Sequence, residues 1–213
     1  MRTLFIIFII VFSNSLINGQ DVDYSGFGME SKDSHIPVGL KVGDKAPDFT
    51  GYNQVGKMVE SKKLLEEGPM ILFFYRGKWC SFCSRYLDSY QDSLRIITDQ
   101  GFNVVAVTPE SIENVEQTVK FHNITFQVIY DCQETIMRNY DVMFAVSKAY
   151  QDKVLSKLSI DIAKNNGKET ASLPVPATYI INRQGIIVAV QFDPDYKKRA
   201  TVKWMLQNMA SAL

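Results

Sequence analysis

The stretch Pro69–Tyr75, PMILFFY, is the feature that most constrains this chain. An unbroken apolar run of strand length suits a central strand covered on both faces, and so a sheet with layers on either side. After Cys80 the period changes. Cys83, Tyr86, Leu87, Tyr90, Leu94 and Ile97 recur at three- and four-residue intervals, which is one face of a helix, and Gly101 is placed to end it. The alternation then repeats. FNVVAVTP reads as a buried strand, and ESIENVEQTVKFHN as a helix with Ile112, Val115, Val119 and His122 near one face. TFQVIYD reads as a third strand and ETIMRNYDV as a short helix. PATYIIN, the turn RQG and IIVAVQF form a strand–turn–strand hairpin. DYKKRATVKWMLQNMASAL closes the chain as an amphipathic helix carrying Trp204 and Leu206. Residues 144–172 show only weak helical spacing and read as an insertion between core elements. Strands alternating with helices and ending in a hairpin predict an α/β architecture, a central mixed sheet with helices on both faces.

The 213 residues are enough for one domain. Residues 1–20, MRTLFIIFIIVFSNSLINGQ, carry Arg2, an apolar run from Leu4 to Phe12, and small and polar residues up to Gly19. That layout predicts a secretory signal, and an uncleaved N-terminal anchor is the alternative. The first reading implies a protein exported, periplasmic or secreted, after signal cleavage, where disulfides persist. Residues 21–40 are polar and read as a linker. The domain proper is expected over 41–213, opened by GDKAPDF and followed by a strand in QVGKMVES and a short helix in SKKLLEEG. Lysine plus arginine equals aspartate plus glutamate, 23 each, so nothing in the charge calls for nucleic acid as a partner.

Three cysteines are too few for a disulfide scaffold of this size. Cys80 and Cys83 stand two residues apart at the start of the expected helix. First-turn amides and the helix dipole favour an anion there, so the Cys80 thiol is expected to ionise readily. Cys83, one turn on, comes back within reach of a disulfide. On this reading Cys80 is the exposed attacker and Cys83 the partly buried sulfur that resolves the intermediate. Arg76 adds a positive charge and Trp79 an apolar flank. A structural disulfide and a metal clip are the competing readings. The first closes a small ring that removes little unfolded-state entropy. The second lacks ligands, with only Cys132 and two histidines left over. Cys132 reads as a small residue at a strand end, or as a second resolving cysteine. His122 reads as packing or surface, and Asn123 in NIT matches a glycosylation acceptor.

Three stretches in order, VGDKAPDFT, FFYRGKWCSFC and LPVPATYIINRQGIIV with FDPDYKKRA, resemble the alkyl hydroperoxide reductase C / thiol-specific antioxidant family from about Val42 to the C-terminus. The closest likeness is to its peroxiredoxin-like branch with a Cys-x-x-Cys pair. The resemblance implies a thioredoxin-like fold, an attacking role for Cys80 and a second redox role for Cys83. It also implies a hydroperoxide or disulfide substrate and a thioredoxin-like electron donor. No cofactor is implied, since sulfur carries the electrons. Family members carry a threonine where this chain has Gly77, and an arginine just before the strand that here begins after Pro176. Thioredoxins place a cis proline opposite the cysteine pair. The Val175–Pro176 bond matches that place and would offer the Val175 backbone to an extended substrate. The alternative is an ordinary proline at the first residue of a strand. The buried aspartate of thioredoxins is replaced by Phe74.

Overall fold

The computed structural model describes residues 24–29 and 35–213. The expected signal segment lies outside the described residues. In chain order the elements are β1 (Thr50–Tyr52), β2 (Met58–Glu60), α1 (Ser61–Glu67), β3 (Met70–Phe74), α2 (Ser81–Thr98), β4 (Asn103–Thr108), α3 (Ile112–Phe121) and β5 (Gln127–Tyr130). They continue with α4 (Thr135–Asn139), β6 (Met143–Ala145), α5 (Lys148–Leu158), α6 (Ile162–Asn165), β7 (Ser172–Pro174), β8 (Ala177–Ile181), β9 (Ile187–Phe192) and α7 (Val202–Met209).

The main sheet has five strands in the order β5-β4-β3-β8-β9. β3, β4 and β5 run parallel, while β8 and β9 are antiparallel to their neighbours. β3 sits at the centre, and all five of its residues are buried. Its side chains alternate between two cores, as strand geometry requires. Ile71 and Phe73 join Leu87, Tyr90, Ile97, Met205 and Met209 on the face covered by α2, α3 and α7. Met70, Leu72 and Phe74 join Leu65, Ile136 and Met137 on the face covered by α1 and α4. This is the α/β architecture expected, a mixed central sheet with helices on both faces.

The expected insertion is an ordered layer. β6 and β7 form a two-stranded ladder, and α5 and α6 fill the span between them. Tyr150, Val154, Ile162, Leu173 and Val175 make a third apolar cluster that also takes in Met29. Asp161 caps α6 at the Lys164 amide, and Ser147 caps α5 at the Tyr150 amide.

Two expectations are corrected. The closing helix begins only at Val202 and not near Asp195. Asp193 and Asp195 turn their carboxylates onto the amides of Asp195 and Lys197, and Thr201 caps the helix at the Trp204 amide. These local bonds compete with helical ones and hold residues 193–201 as a loop. Second, no cis peptide bond occurs among the described residues, so Val175–Pro176 is trans. Pro176 stands immediately before β8, where its missing N–H costs the ladder nothing.

Candidate active site

β3 ends at Phe74 and α2 begins at Ser81, and the loop between them carries the chemistry. Cys80 is the N-cap residue of α2, with an extended backbone (φ −87°, ψ 105°) and no side-chain cap bond. Its N–H donates to the Gly77 carbonyl at 3.1 Å, which closes the loop into a turn. Gly77 has φ +144°, and a Cβ there would lie 2.6 Å from Trp79 Nε1. That backbone and that contact favour glycine at a position where the family resemblance implied threonine.

Both sulfurs are buried: Cys80 is 4 % exposed and Cys83 0 %. This corrects the expectation of an exposed attacker. All three cysteines are free, with Cys132 exposed after β5. The sulfurs are ringed by cations. Arg76, 3 % exposed, donates from Nη2 to Cys80 Sγ at 3.3 Å and from Nη1 to the Tyr150 hydroxyl at 2.9 Å. Its guanidinium lies 3.8 Å from the Tyr196 ring centroid and 5.2 Å from that of Trp79. Arg199 donates from Nη2 to Cys83 Sγ at 3.2 Å, and its Nε donates to the Tyr196 carbonyl at 2.9 Å. The Arg76 amide also points at Cys83 Sγ, 3.5 Å away.

Two thiols this close behave as one titrating unit. Burial works against a charge on Cys83. It is outweighed by the hydrogen bond from the Cys80 thiol, then by the Arg199 and Arg76 charges and the Arg76 amide, which hold Cys83 well below the usual thiol range. The Cys80 thiol is pushed up, first by its hydrogen bond to Cys83, then by burial and by the neighbouring negative charge. The pair therefore gives up its first proton readily, and the negative charge is shared between two sulfurs faced by Arg76 and Arg199.

A buried carboxyl stands behind the loop. Glu110, 0 % exposed, accepts from the Lys78 amide at 3.0 Å, from Thr118 Oγ1 at 3.2 Å and from Asn165 Nδ2 at 3.4 Å. Burial raises its pKa.

Cys80 opens on a pocket of about 210 Å³. One wall is Arg76, Trp79 and Phe82, and the other is α5, through Tyr150, Val154 and Leu158, with Tyr196 from the 193–201 loop. Four of the expected site residues, Arg76, Trp79, Cys80 and Cys83, thus come together. Val175 and Pro176 do not line this pocket. Val175 is buried in the third cluster and its N–H is taken by the Val142 carbonyl at 2.7 Å, so it is not offered to a substrate. Arg199, Tyr150 and Tyr196 were not anticipated. Among the described residues, no group of three or more His, Cys, Asp or Glu could hold a metal ion.

Comparison with known proteins places this geometry. Residues 42–190 match the model of the AhpC/TSA family. Alkyl hydroperoxide reductase C of Helicobacter pylori is 30 % identical over 108 residues, 47 % of this chain and 54 % of that protein. The match thus spans about half the length of that relative. Thiol-disulfide oxidoreductase ResA of Bacillus subtilis is 25 % identical over 152 residues, 71 % of this chain and 67 % of that protein. Among solved structures, peroxidoxin BcpB from Mycobacterium tuberculosis superposes with a TM-score of 0.63 at 16 % identity, covering 82 % of this chain and 99 % of that one. A putative thiol:disulfide interchange protein DsbE from Chlorobium tepidum gives 0.55 at 20 % identity, covering 81 % of this chain and 98 % of that one. The two structures share the fold with this chain.

Proposed function

The chain belongs to the AhpC/TSA family, and from that premise we propose that it is a peroxiredoxin-like thiol peroxidase working through Cys80 and Cys83. The observation that carries this reading is the contact of Cys80 Sγ with the Arg76 guanidinium at the floor of the pocket. A nucleophilic sulfur and a fixed cation side by side suit a substrate that develops negative charge on oxygen.

The reaction begins with the single proton of the pair. With that proton on Cys83, the thiolate is on Cys80, the sulfur that faces the pocket. That thiolate attacks the terminal oxygen of a hydroperoxide. An S–O bond forms, the O–O bond breaks, and the leaving alkoxide takes a proton from solvent to become the alcohol. Arg76 stabilises the departing oxyanion. Cys80 is now a sulfenic acid, oxidised by two electrons. Cys83 attacks the Cys80 sulfur, the S–S bond forms, and hydroxide leaves as water with the Cys83 proton. A dithiol protein of the thioredoxin type then returns two electrons and two protons and becomes the disulfide itself. The layout of residues 1–20 supports work outside the cytoplasm.

A second reading is disulfide exchange on other proteins. It draws on the Cys-x-x-Cys spacing, on Gly77 in place of threonine and on the likeness to ResA. Stopped-flow fluorescence of Trp79 separates the two. Pre-reduced protein is mixed with hydrogen peroxide and, separately, with a small aromatic disulfide. The peroxidase reading expects fast oxidation by peroxide that Cys80→Ser abolishes. Peroxide reacting no faster than with a free thiol, beside fast reaction with the disulfide, would establish the exchanger instead.

A further inference from the structure

The pocket beside Cys80 is electrostatically one-sided. The chain as a whole is neutral, with 23 basic and 23 acidic residues. Yet the pocket lining includes Arg76, Lys153 and Lys157 and no aspartate or glutamate. Arg76 is already engaged with Cys80 and Tyr150. Among the described residues, the two lysines are engaged with no carboxylate, although neighbours on the same helix are paired, Lys148 with Asp152. Lys153 Nζ stands 5.9 Å from the Tyr150 ring centroid, which turns it towards the site. Lys153 and Lys157 are one helical turn apart on α5, where like charges repel and disfavour the helix by a few tenths of a kcal/mol. Val154, Leu158 and Phe82 line the same pocket.

We infer that this pocket selects substrates that join an apolar body to an anionic end, with the anion received by Lys153 and Lys157 and the body held by Val154, Leu158 and Phe82. This rests on the peroxidase reading and names its substrate class: a hydroperoxide of a carboxylic acid, its –OOH directed to Cys80 and its carboxylate to the rim. A pocket of about 210 Å³ is of a size to receive an aryl or short alkyl body. The lysines are exposed, so their pull acts through steering and a screened contact.

The test uses two matched pairs of probes on the full chain. One pair is cumene hydroperoxide and its para-carboxylate. The other is a dipyridyl disulfide and a nitrophenyl disulfide bearing a carboxylate on each ring. Each rate is divided by the rate of the same probe with a free thiol. The expected result is a preference of about tenfold for the carboxylated member at low salt, shrinking as salt is raised to about 0.5 M. Lys153→Gln with Lys157→Gln should remove the preference and leave the neutral probe within about twofold. Lys153→Glu with Lys157→Glu should reverse it. No preference in the wild type, or a preference that survives the double glutamine variant, overturns the inference. If peroxides of both kinds react no faster than with a free thiol while the disulfide pair shows the lysine-dependent preference, the peroxidase reading fails and the anion site stands.

Discussion

At the residue scale, the chemistry turns on which cation reaches which sulfur. Arg76 is held from three sides, by Cys80 Sγ, the Tyr150 hydroxyl and the Tyr196 ring, and has little freedom to follow a substrate. Arg199 serves the second sulfur, and it is the residue whose loss should move the pair's titration. With Arg199→Met, Cys83 keeps its burial and loses the cation 3.2 Å from its sulfur. The first proton of the pair should then leave at a higher pH. Thiolate absorbance in the ultraviolet, followed against pH on reduced protein, reads this directly: the midpoint shifts up, and the thiolate fraction at neutral pH falls. A midpoint that does not move would mean that Arg76 and the Cys80 thiol alone set the ionisation. Met matches the arginine stem in length and apolar character and can pack beside the Tyr86 ring, over which the guanidinium lies at 5.3 Å, so the fold should tolerate it.

At the element scale, the parts read correctly from the sequence are those whose pattern has a single physical cause. β3 was legible because five consecutive buried residues leave no other structure. α2 was legible because Cys83, Leu87, Tyr90 and Ile97 are the buried stripe its spacing predicts. The misses come where two local forces compete. Arg199 sits in a segment whose apolar spacing suggests helix, but the side chains of Asp193 and Asp195 claim the backbone amides first. From that loop Arg199 reaches Cys83. Arg76, four residues upstream of Cys80, was legible as the positive charge beside it, but nothing local could show Arg199 arriving 116 residues downstream of the cysteine it touches. Tyr150 was hidden in the same way, in a segment whose weak periodicity reflects a helix that buries only Tyr150 and Val154. Such a helix leans on its cap. Ser147→Ala removes the acceptor for the Tyr150 amide and should destabilise α5 by about 1 kcal/mol. Amide exchange across Lys148–Leu158 should then quicken about fivefold in the native state, since that free energy is paid in local opening. The exchange of β3 amides should stay unchanged. Exchange that quickens everywhere equally would mean that α5 does not open on its own.

At the scale of the whole molecule, the cysteine pair links redox state to folding. The reduced protein has a negative charge shared between two sulfurs and faced by Arg76 and Arg199. Oxidation removes that charge and leaves a nearly fully buried guanidinium at Arg76 without an anionic partner. A buried ion that loses its counter-charge destabilises the state that contains it. The oxidised form should therefore be the less stable one, by roughly 1–3 kcal/mol, although a cross-link by itself would stabilise a chain. The sign of the pH dependence follows from Cys83. Its folded pKa lies below the unfolded value, so the stabilisation of the reduced form is present above the ordinary thiol value near about 8.5 and is lost as pH falls through the depressed folded value. The gap between the two forms should widen as pH rises across that window and close at its acid end. Urea denaturation of the reduced and oxidised proteins at matched pH measures both quantities. By the thermodynamic cycle, the same gap makes the folded disulfide a stronger oxidant than its unfolded counterpart, with about 30 mV for each 1.4 kcal/mol. A disulfide destabilised in this way is readily reopened by an external dithiol, which is what turnover at Cys80 requires. If the oxidised form proves the more stable at every pH, the arginines act as packing and the cross-link dominates. The recycling step would then have to draw its driving force from the reductant alone.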